Sequence, residues 1–240
     1  MDTIKIEHKG NTQMVAHRGA SALERENTVA AFLAAANRSY WGIETDVHRT
    51  ADGGFVLFHD DRTGRVAPTD IPVESSTLAD LRALKLYDTH GLATRGDLVI
   101  PVLEEYAAIC RDYRKVAVLE LKNAFSPEDI AKIVLILAEQ GALEQTLFIS
   151  FDLQNLIELR KLLPTHPVQF LTGKLTDEVF EILVREKMDL DVHYSALTKE
   201  WIDRLHGADI EVNCWTVDDP EACRRLIDWG VDYITSNRCE

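Results

Sequence analysis

The sequence predicts an α/β fold, and more specifically a (β/α)8 TIM barrel with a small insertion after the second strand. Eight short apolar segments alternate with helical segments, which is the element count of such a barrel. Polar and charged residues follow several of these segments, at the points where parallel strands would leave the core. The length of 240 residues with 46% hydrophobic content suits one barrel or two small domains. The strand count favours one domain over residues 1–240.

The predicted elements follow one another in regular order. Asn27 is suited to cap the first helix, and Gly230 ends the last one. The predicted strands are 14–17, 41–48, 116–122, 146–150, 168–171, 190–193, 210–214 and 231–235. The predicted barrel helices are 28–36, 102–111, 127–140, 153–163, 176–187, 199–206 and 220–229. No eighth helix follows the last strand, so either the N-terminal arm or a partner subunit would cover that gap.

A hairpin and an insertion interrupt this alternation after the second strand. Residues 55–58 are expected to return antiparallel to the second strand across the turn Ala51-Asp52-Gly53-Gly54, which would bring His59 beside Asp46. Residues 60–99 show little periodicity and contain several prolines and glycines. We therefore expect an inserted segment with one short helix at 78–84, and connections of this length tend to be functional.

Composition excludes several classes of partner. The formal net charge of -14 and the pI near 5.0 argue against nucleic acid and anionic membranes, because binding to either requires clustered Lys and Arg. Residues 1–13 are polar and contain no apolar core of signal-peptide length, and no stretch approaches 18 apolar residues, so we expect a cytoplasmic protein without stable membrane association. The four cysteines show neither metal-ligand nor disulfide spacing and are expected to be free thiols.

Polar side chains at the ends of the first strands form the predicted site. The carboxyl ends of barrel strands face one mouth, so residues far apart in sequence would converge there. Glu44 and Asp46 are two positions apart and hence lie on one face of their strand, and Glu120 ends the next barrel strand. Three carboxylates without a cysteine form a hard oxygen site that suits Mg²⁺ or Ca²⁺ rather than zinc.

Basic residues at the same mouth complete a site for a cation and an anion. Arg18 can hold anionic oxygens as a bidentate fork, and Lys122 can do so as a point charge. His17 and His59 are candidates for the acid and base of a hydrolysis.

For four other residues the sequence leaves a choice between function and structure. Phe151 and Trp215 follow or end strands, and each either contacts the substrate or packs in the core. His48 and His193 could reach the mouth, although a structural role is favoured for both.

These residues resemble the glycerophosphodiester phosphodiesterase family in order and spacing. The resemblance runs from about residue 14 to residue 235, and it rests on the motifs His17-Arg18-Gly19, Glu26-Asn27-Thr28, Glu44-Thr45-Asp46-Val47, Thr50-Ala51-Asp52-Gly53, His59-Asp60, Ile100-Pro101-Val102-Leu103-Glu104, Leu119-Glu120-Leu121-Lys122, Ser150-Phe151 and Trp215-Thr216-Val217. It implies a (β/α)8 barrel that hydrolyses glycerophosphodiesters to sn-glycerol 3-phosphate and an alcohol with a divalent cation.

The resemblance also implies a role for each predicted site residue. Glu44, Asp46 and Glu120 would bind the metal. His17 and His59 would be the acid and base pair. Phosphate would be held by Arg18 and Lys122, and the substrate pocket would be lined by Phe151 and Trp215.

Two other functions stay open at this stage. One is a barrel acting on another phosphodiester, such as a lysophospholipid, or on a phosphosugar. An apolar mouth would favour a lipid, and residues 60–99 are not notably apolar. The other is a non-catalytic binding barrel, which a replaced histidine or carboxylate would favour, and none is replaced. The leaving alcohol, the preferred metal and assembly into a homo-oligomer also stay open.

Overall fold

The fold is a closed barrel of eight parallel strands, counted over residues 2–240, which are the residues that the computed structural model describes. The strands are β1 (Gln13–Ala16), β2 (Gly42–Arg49), β3 (Phe55–Leu57), β4 (Val116–Leu121), β5 (Thr146–Ser150), β6 (Val168–Thr172), β7 (Asp189–His193), β8 (Val212–Trp215) and β9 (Tyr233–Ser236). All are parallel except β3, which pairs antiparallel with β2 alone. The barrel closes because Val15 on β1 pairs with Gly42 on β2 and with Thr235 on β9. The predicted TIM barrel is confirmed.

Helices cover the outside of the barrel between successive strands. They are α1 (Val29–Ala36), α2 (Leu78–Arg82), α3 (Leu103–Tyr113), α4 (Pro127–Glu139), α5 (Leu153–Leu162), α6 (Asp177–Glu186), α7 (Lys199–His206) and α8 (Pro220–Trp229). Side-chain oxygens of Ser126, Thr176 and Thr198 cap α4, α6 and α7, a position that both residue types favour. Among residues 2–240 no helix is both long enough and apolar enough to cross a bilayer.

The start of α1 corrects one prediction. Thr28, rather than Asn27, caps the helix, and its Oγ1 accepts a hydrogen bond from the backbone N of Ala31 at 3.2 Å. Asn27 instead has a left-handed backbone with φ of 50° and a buried side chain, whose Nδ2 donates to Asp46 Oδ2 at 2.7 Å. Asn and Thr both favour the N-cap position. The local sequence alone therefore did not show that Thr28 would cap the helix while Asn27 binds the buried carboxylate of Asp46.

The β2–β3 hairpin forms as predicted. Val47 is opposite Leu57, and the backbone N of Phe58 donates to the carbonyl oxygen of Asp46 at 2.9 Å. Gly53 lies in the turn with φ of 84°, a conformation that glycine adopts without strain. The hairpin therefore carries His59 back to the carboxyl end of β2.

The segment between β3 and α3 has an apolar core of its own. Val66, Val73, Leu81 and Leu98 are fully buried or nearly so, and they pack with Val56 of β3. Main-chain hydrogen bonds also cross the segment, for example from Leu86 N to Leu98 O at 2.9 Å. The segment is thus ordered by packing although its sequence shows little periodicity, and α2 is shorter than the predicted helix 78–84.

The N-terminal arm packs beside the residues that follow β9. Ile4 forms a parallel bridge with Cys239, and its backbone N donates to Arg238 O at 2.8 Å. Ile6 donates in the same way to Glu240 O at 2.7 Å, and its side chain is buried in the main core. Of the two alternatives that the sequence leaves open, the structure therefore favours the arm of the same chain.

Candidate active site

Three acidic side chains meet at the mouth of the barrel. Glu44 and Asp46 lie on β2, and Glu120 lies on β4 directly in register with Asp46. One oxygen atom from each carboxylate lies within 4.8 Å of the other two, and all three residues are buried. Their proximity follows from the pairing of neighbouring parallel strands. We call these three residues the carboxylate cluster.

Burial dominates the protonation of the carboxylate cluster. Burial and the neighbouring Asp46 carboxylate raise the pKa of Glu44 well above its usual value, and the same causes raise the pKa of Glu120 to about 8. Burial alone would also raise the pKa of Asp46, but the Lys122 ammonium and the Arg18 guanidinium hold it below its usual value. Burial therefore favours the protonated forms of Glu44 and Glu120 unless further positive charge is present.

The donor set of the carboxylate cluster fits a divalent cation. Asp46 Oδ1 is buried and has no hydrogen-bond partner within residues 2–240, and Lys122 Nζ lies 3.4 Å from it. A buried oxygen without a partner is energetically costly. A hard cation would satisfy it, and carboxylate oxygens are the ligands that Mg²⁺ and Ca²⁺ prefer. Glu44, Asp46 and Glu120 are therefore able to hold such an ion.

Two basic side chains flank the carboxylate cluster. Lys122 directly follows β4, and its Nζ lies 2.9 Å from Glu120 Oε1. Arg18 has a left-handed backbone with φ of 54°, and its backbone N donates to Glu44 Oε2 at 2.8 Å. Its guanidinium reaches Asp46, with Nε 3.5 Å from Oδ2. Both positive groups thus lie where they can neutralise an anion that also contacts a cluster-bound cation.

His17 is oriented by an amide from the other end of the chain. Its Nδ1 lies 2.7 Å from Asn237 Oδ1, while Asn237 Nδ2 donates to Asp218 Oδ2 at 2.6 Å. Because the Asp218 carboxylate fixes the amide, Asn237 presents an acceptor, and Nδ1 of His17 must carry the proton. Nε2 is then free and lies 4.0 Å from Glu44 Oε2. Burial and the charge of Arg18 lower the pKa of His17 to about 4.

His59 is oriented by a carboxylate instead. Its Nδ1 lies 2.6 Å from Asp60 Oδ1, and Arg65 Nε binds the other oxygen of Asp60 at 2.6 Å. Arg65 also binds Glu26, which accepts a hydrogen bond from Arg18 at 2.8 Å. Burial, opposed by nearby negative charge, lowers the pKa of His59. Both histidines therefore bind a supporting group through Nδ1, and that group does not occupy Nε2.

Aromatic rings form the opposite side of the mouth. The rings of Phe151 and Trp215 meet edge to face with centroids 5.7 Å apart, and the ring of His193 contacts Trp215 at 5.3 Å. Phe151 is 46% exposed although it is large and apolar. An exposed ring held against a second ring at a cavity mouth is suited to contact a bound organic molecule.

The structure brings the nine predicted site residues together. All of them except Asp46 and Lys122 line one cavity at the mouth, and these two form ion pairs with residues of the same group. His48 lies outside this lining: it is buried, and its Nδ1 pairs with Glu74 Oε1 at 3.0 Å, as a structural residue would.

Sequence reasoning missed the residues that hold the two histidines. Asn237 directly follows β9, so the rule that polar residues after strand ends meet at the mouth could have found it. Asp218 lies about two hundred residues after the histidine it supports, and Arg65 lies close to His59 but within the insertion, where no local pattern marks it. Glu26 belongs to a quoted motif, but its bridging position between two arginines is visible only in three dimensions.

A parallel barrel with a carboxylate cluster, two flanking cations and two histidines at one mouth defines an enzyme for an anionic substrate. Residues 17–240 match the Glycerophosphoryl diester phosphodiesterase family, and the chain belongs to this family. It is accordingly a phosphoric diester hydrolase of the glycerophosphodiester phosphodiesterase type.

Individual relatives are similar in sequence to this protein over almost its whole length. The Bacillus subtilis protein YhdW is 30% identical over 234 residues, which cover 93% of each chain. A glycerophosphodiester phosphodiesterase of Caldanaerobacter subterraneus is 28% identical and covers 94% of each chain. Among solved structures, an Oleispira antarctica phosphodiesterase in complex with the product sn-glycerol-3-phosphate is 26% identical, with a TM-score of 0.87 and coverage of 94% of this chain and 93% of that chain.

Proposed function

We propose that this enzyme hydrolyses small glycerophosphodiesters to sn-glycerol 3-phosphate and an alcohol, with a divalent cation and two histidines. The observation that carries the proposal is the convergence of the carboxylate cluster, two basic residues and two histidines around one cavity. The product bound in the Oleispira antarctica structure supports the choice of product. We further propose that residues 1–240 form one phosphodiesterase domain with 60–99 as an inserted segment, which supplies Asp60 and Arg65 to the site.

The phosphate group would be held by charge on two sides. Arg18 would bind its oxygens through the guanidinium, and Lys122 would add a second positive charge beside Glu120. A Mg²⁺ or Ca²⁺ ion held by Glu44, Asp46 and Glu120 would supply Lewis-acid stabilisation of charge on the phosphate. With the anion neutralised from both sides, attack at phosphorus by an oxygen nucleophile becomes easier.

The two histidines would divide the proton transfers. Each has its Nδ1 engaged, His17 by Asn237 and His59 by Asp60, so each can use only Nε2 toward the substrate. One Nε2 would accept the proton of the attacking hydroxyl or water, and the other would donate a proton to the departing alcohol oxygen. His17 follows β1 and His59 follows β3, and this origin on separate elements would suit an acid and a base that act on opposite sides of phosphorus in an in-line displacement.

The experiment is a product assay with purified protein. Release of sn-glycerol 3-phosphate is measured from glycerophosphocholine and glycerophosphoethanolamine, and release of lysophosphatidic acid is measured from a lysophospholipid, each with Mg²⁺, with Ca²⁺ and with EDTA. We expect release from the two soluble diesters, abolition by EDTA, and little turnover of the lysophospholipid. Glu44→Gln, which keeps the side-chain size but removes the charge, should behave like the EDTA sample. Faster hydrolysis of the lysophospholipid, or full activity in EDTA, would contradict the proposal.

A further inference from the structure

Asp191 is a buried acidic residue inside the barrel to which no role has yet been assigned. It lies on β7, it is 2% exposed, and it lines the same cavity as the two histidines. Its sheet neighbours are Leu171 on β6 and Asn213 on β8. Within residues 2–240 its Oδ1 has no hydrogen-bond partner. A buried, unpartnered carboxyl oxygen at a substrate cavity is a candidate contact for the substrate.

The polar side chain of Asn213, on the strand next to Asp191, has hydrogen-bond partners, unlike Asp191 Oδ1. Asn213 Nδ2 donates to Gln169 Oε1 at 3.0 Å, and Thr235 Oγ1 donates to Asn213 Oδ1 at 3.2 Å. Three other cavity-lining residues have a buried polar atom without a hydrogen-bond partner in the described part of the chain. Arg18 Nε and Glu120 Oε1 face opposite charges in ion pairs, whereas the indole Nε1 of Trp215, on the next strand, has no ion pair. Two neighbouring strands thus each offer one unused polar atom to the cavity.

The chemistry of Asp191 differs from that of the carboxylate cluster. Its oxygens are not among the atoms that converge within 4.8 Å at the cluster. Burial raises the pKa of Asp191 well above its usual value, and the charge of Glu120 adds to this effect. A neutral carboxyl group both donates and accepts a hydrogen bond, as a hydroxyl group does. Burial thus favours the neutral form of Asp191, a form that does not repel a nearby phosphate.

We propose that Asp191 binds a hydroxyl group of the glycerol portion of the substrate and thereby determines specificity for glycerol over other alcohols. The inference rests on the proposed function. The glycerol portion is the part that all these substrates share, so a buried, fixed contact suits it, whereas the variable alcohol requires the open side of the mouth. Ile149 and Leu171, which also line the cavity, would contact the carbon atoms between the hydroxyl groups.

The experiment compares two phosphate monoesters that differ only in the hydroxyl groups. Affinities for sn-glycerol 3-phosphate and n-propyl phosphate are measured by calorimetry with Mg²⁺ present, in the wild type and in Asp191→Leu. We expect the wild type to prefer the glycerol compound by about tenfold, the effect of one hydrogen bond between uncharged groups. Asp191→Leu should bind both compounds about equally. Asp191→Asn, which keeps a donor and an acceptor, should retain the preference.

The controls separate this inference from folding, from metal binding and from the proposed function. Asp189→Asn, at the first residue of β7 and outside the cavity lining, should leave the preference unchanged. If Asp191→Leu does not fold, as judged by thermal unfolding, Asp191→Ala takes its place. A folded variant that keeps the preference would overturn the inference, and so would one that loses affinity for Mg²⁺. Wild-type protein that releases no sn-glycerol 3-phosphate would instead refute the proposed function.

Discussion

Two walls of the barrel mouth differ in how their side chains are held. The charged wall, formed by residues at the ends of β1, β2 and β4, consists of Arg18, Glu44, Asp46, Glu120 and Lys122. The aromatic wall, formed at the ends of β5, β7 and β8, consists of Phe151, His193 and Trp215. In the charged wall the three carboxylates are buried. Asp46 and Glu120 form ion pairs with Arg18 and Lys122, respectively, and Glu44 accepts a hydrogen bond from the backbone N of Arg18. In the aromatic wall Phe151 is 46% exposed and is held by ring contacts.

This difference teaches where the structure tolerates change. Removing one charge from the charged wall leaves its partner buried without compensation, which is far more costly than losing a ring contact. We therefore expect substitutions in the charged wall, and of the two histidines next to it, to affect the chemical step. Substitutions in the aromatic wall should affect substrate affinity. The predictions below test this division, beginning with the largest expected effect.

Removal of either histidine should have the largest effect. His17→Ala and His59→Ala should each lower kcat by roughly 10²- to 10⁴-fold on an alkyl diester, because proton transfer to or from an oxygen is lost. A diester with a p-nitrophenolate leaving group should partly restore activity in the variant that lacks the acid, and not in the variant that lacks the base. Steady-state kinetics with both substrates measures this. An equal response of the two variants, or full activity of either, would refute the division of roles.

A conservative change in the charged wall should also be severe. Arg18→Lys keeps the positive charge but loses the planar fork that binds two oxygens at once. The loss of one hydrogen bond between charged groups should reduce kcat/KM by about 10- to 100-fold. The measurement is kcat/KM for glycerophosphocholine. A wild-type value would mean that Arg18 serves only to hold Glu26 and Asp46.

A smaller effect is expected from the residue that orients His17. Asn237→Ala removes the acceptor of the Nδ1 hydrogen bond, and kcat should fall about tenfold while KM changes little. Ser21→Ala is the matched control, because Ser21 Oγ donates to the same oxygen at 2.7 Å without touching His17. Nitrogen NMR of the imidazole should show a mixture of tautomers in Asn237→Ala and one tautomer in Ser21→Ala. Equal kcat values in the two variants would argue against the orienting role.

The smallest effect should come from the aromatic wall. Phe151→Ala should raise KM a few-fold and leave kcat within a factor of about two, since an exposed ring contact contributes only modestly. The measurement is a full kinetic comparison with the wild type on one soluble diester. A large fall in kcat with unchanged KM would remove the distinction between the two walls.

Sequence reasoning was most successful where chain geometry is periodic. The alternation of strands and helices predicted the barrel, and the positions of α7 and α8 were predicted at both ends. Glu44 and Asp46 were placed on one face of a strand by their spacing alone. The turn at Gly53 predicted the hairpin that carries His59 to the site.

Sequence reasoning was least successful where a residue type suits two local roles equally well, or where residues far apart in sequence come together. Asn27 was expected to cap a helix, and it binds Asp46 instead. Asn237 and Asp218 support a histidine that precedes them by about two hundred residues, and only closure of the barrel brings them together. Asp191 lies in a strand with another aspartate, and its burial without a partner depends on the strands on either side.

The most direct test of the central claim is a titration of metal-free protein with Mg²⁺ and with Ca²⁺ in calorimetry. Because burial raises the pKa of Glu120 to about 8, its proton must leave when the ion binds. We therefore predict one bound ion per chain, release of protons, and tighter binding at pH 8 than at pH 6. Glu120→Gln should bind much more weakly at both values. Binding that is independent of pH, with the same affinity in Glu120→Gln as in the wild type, would contradict the assignment of the carboxylate cluster as the metal site.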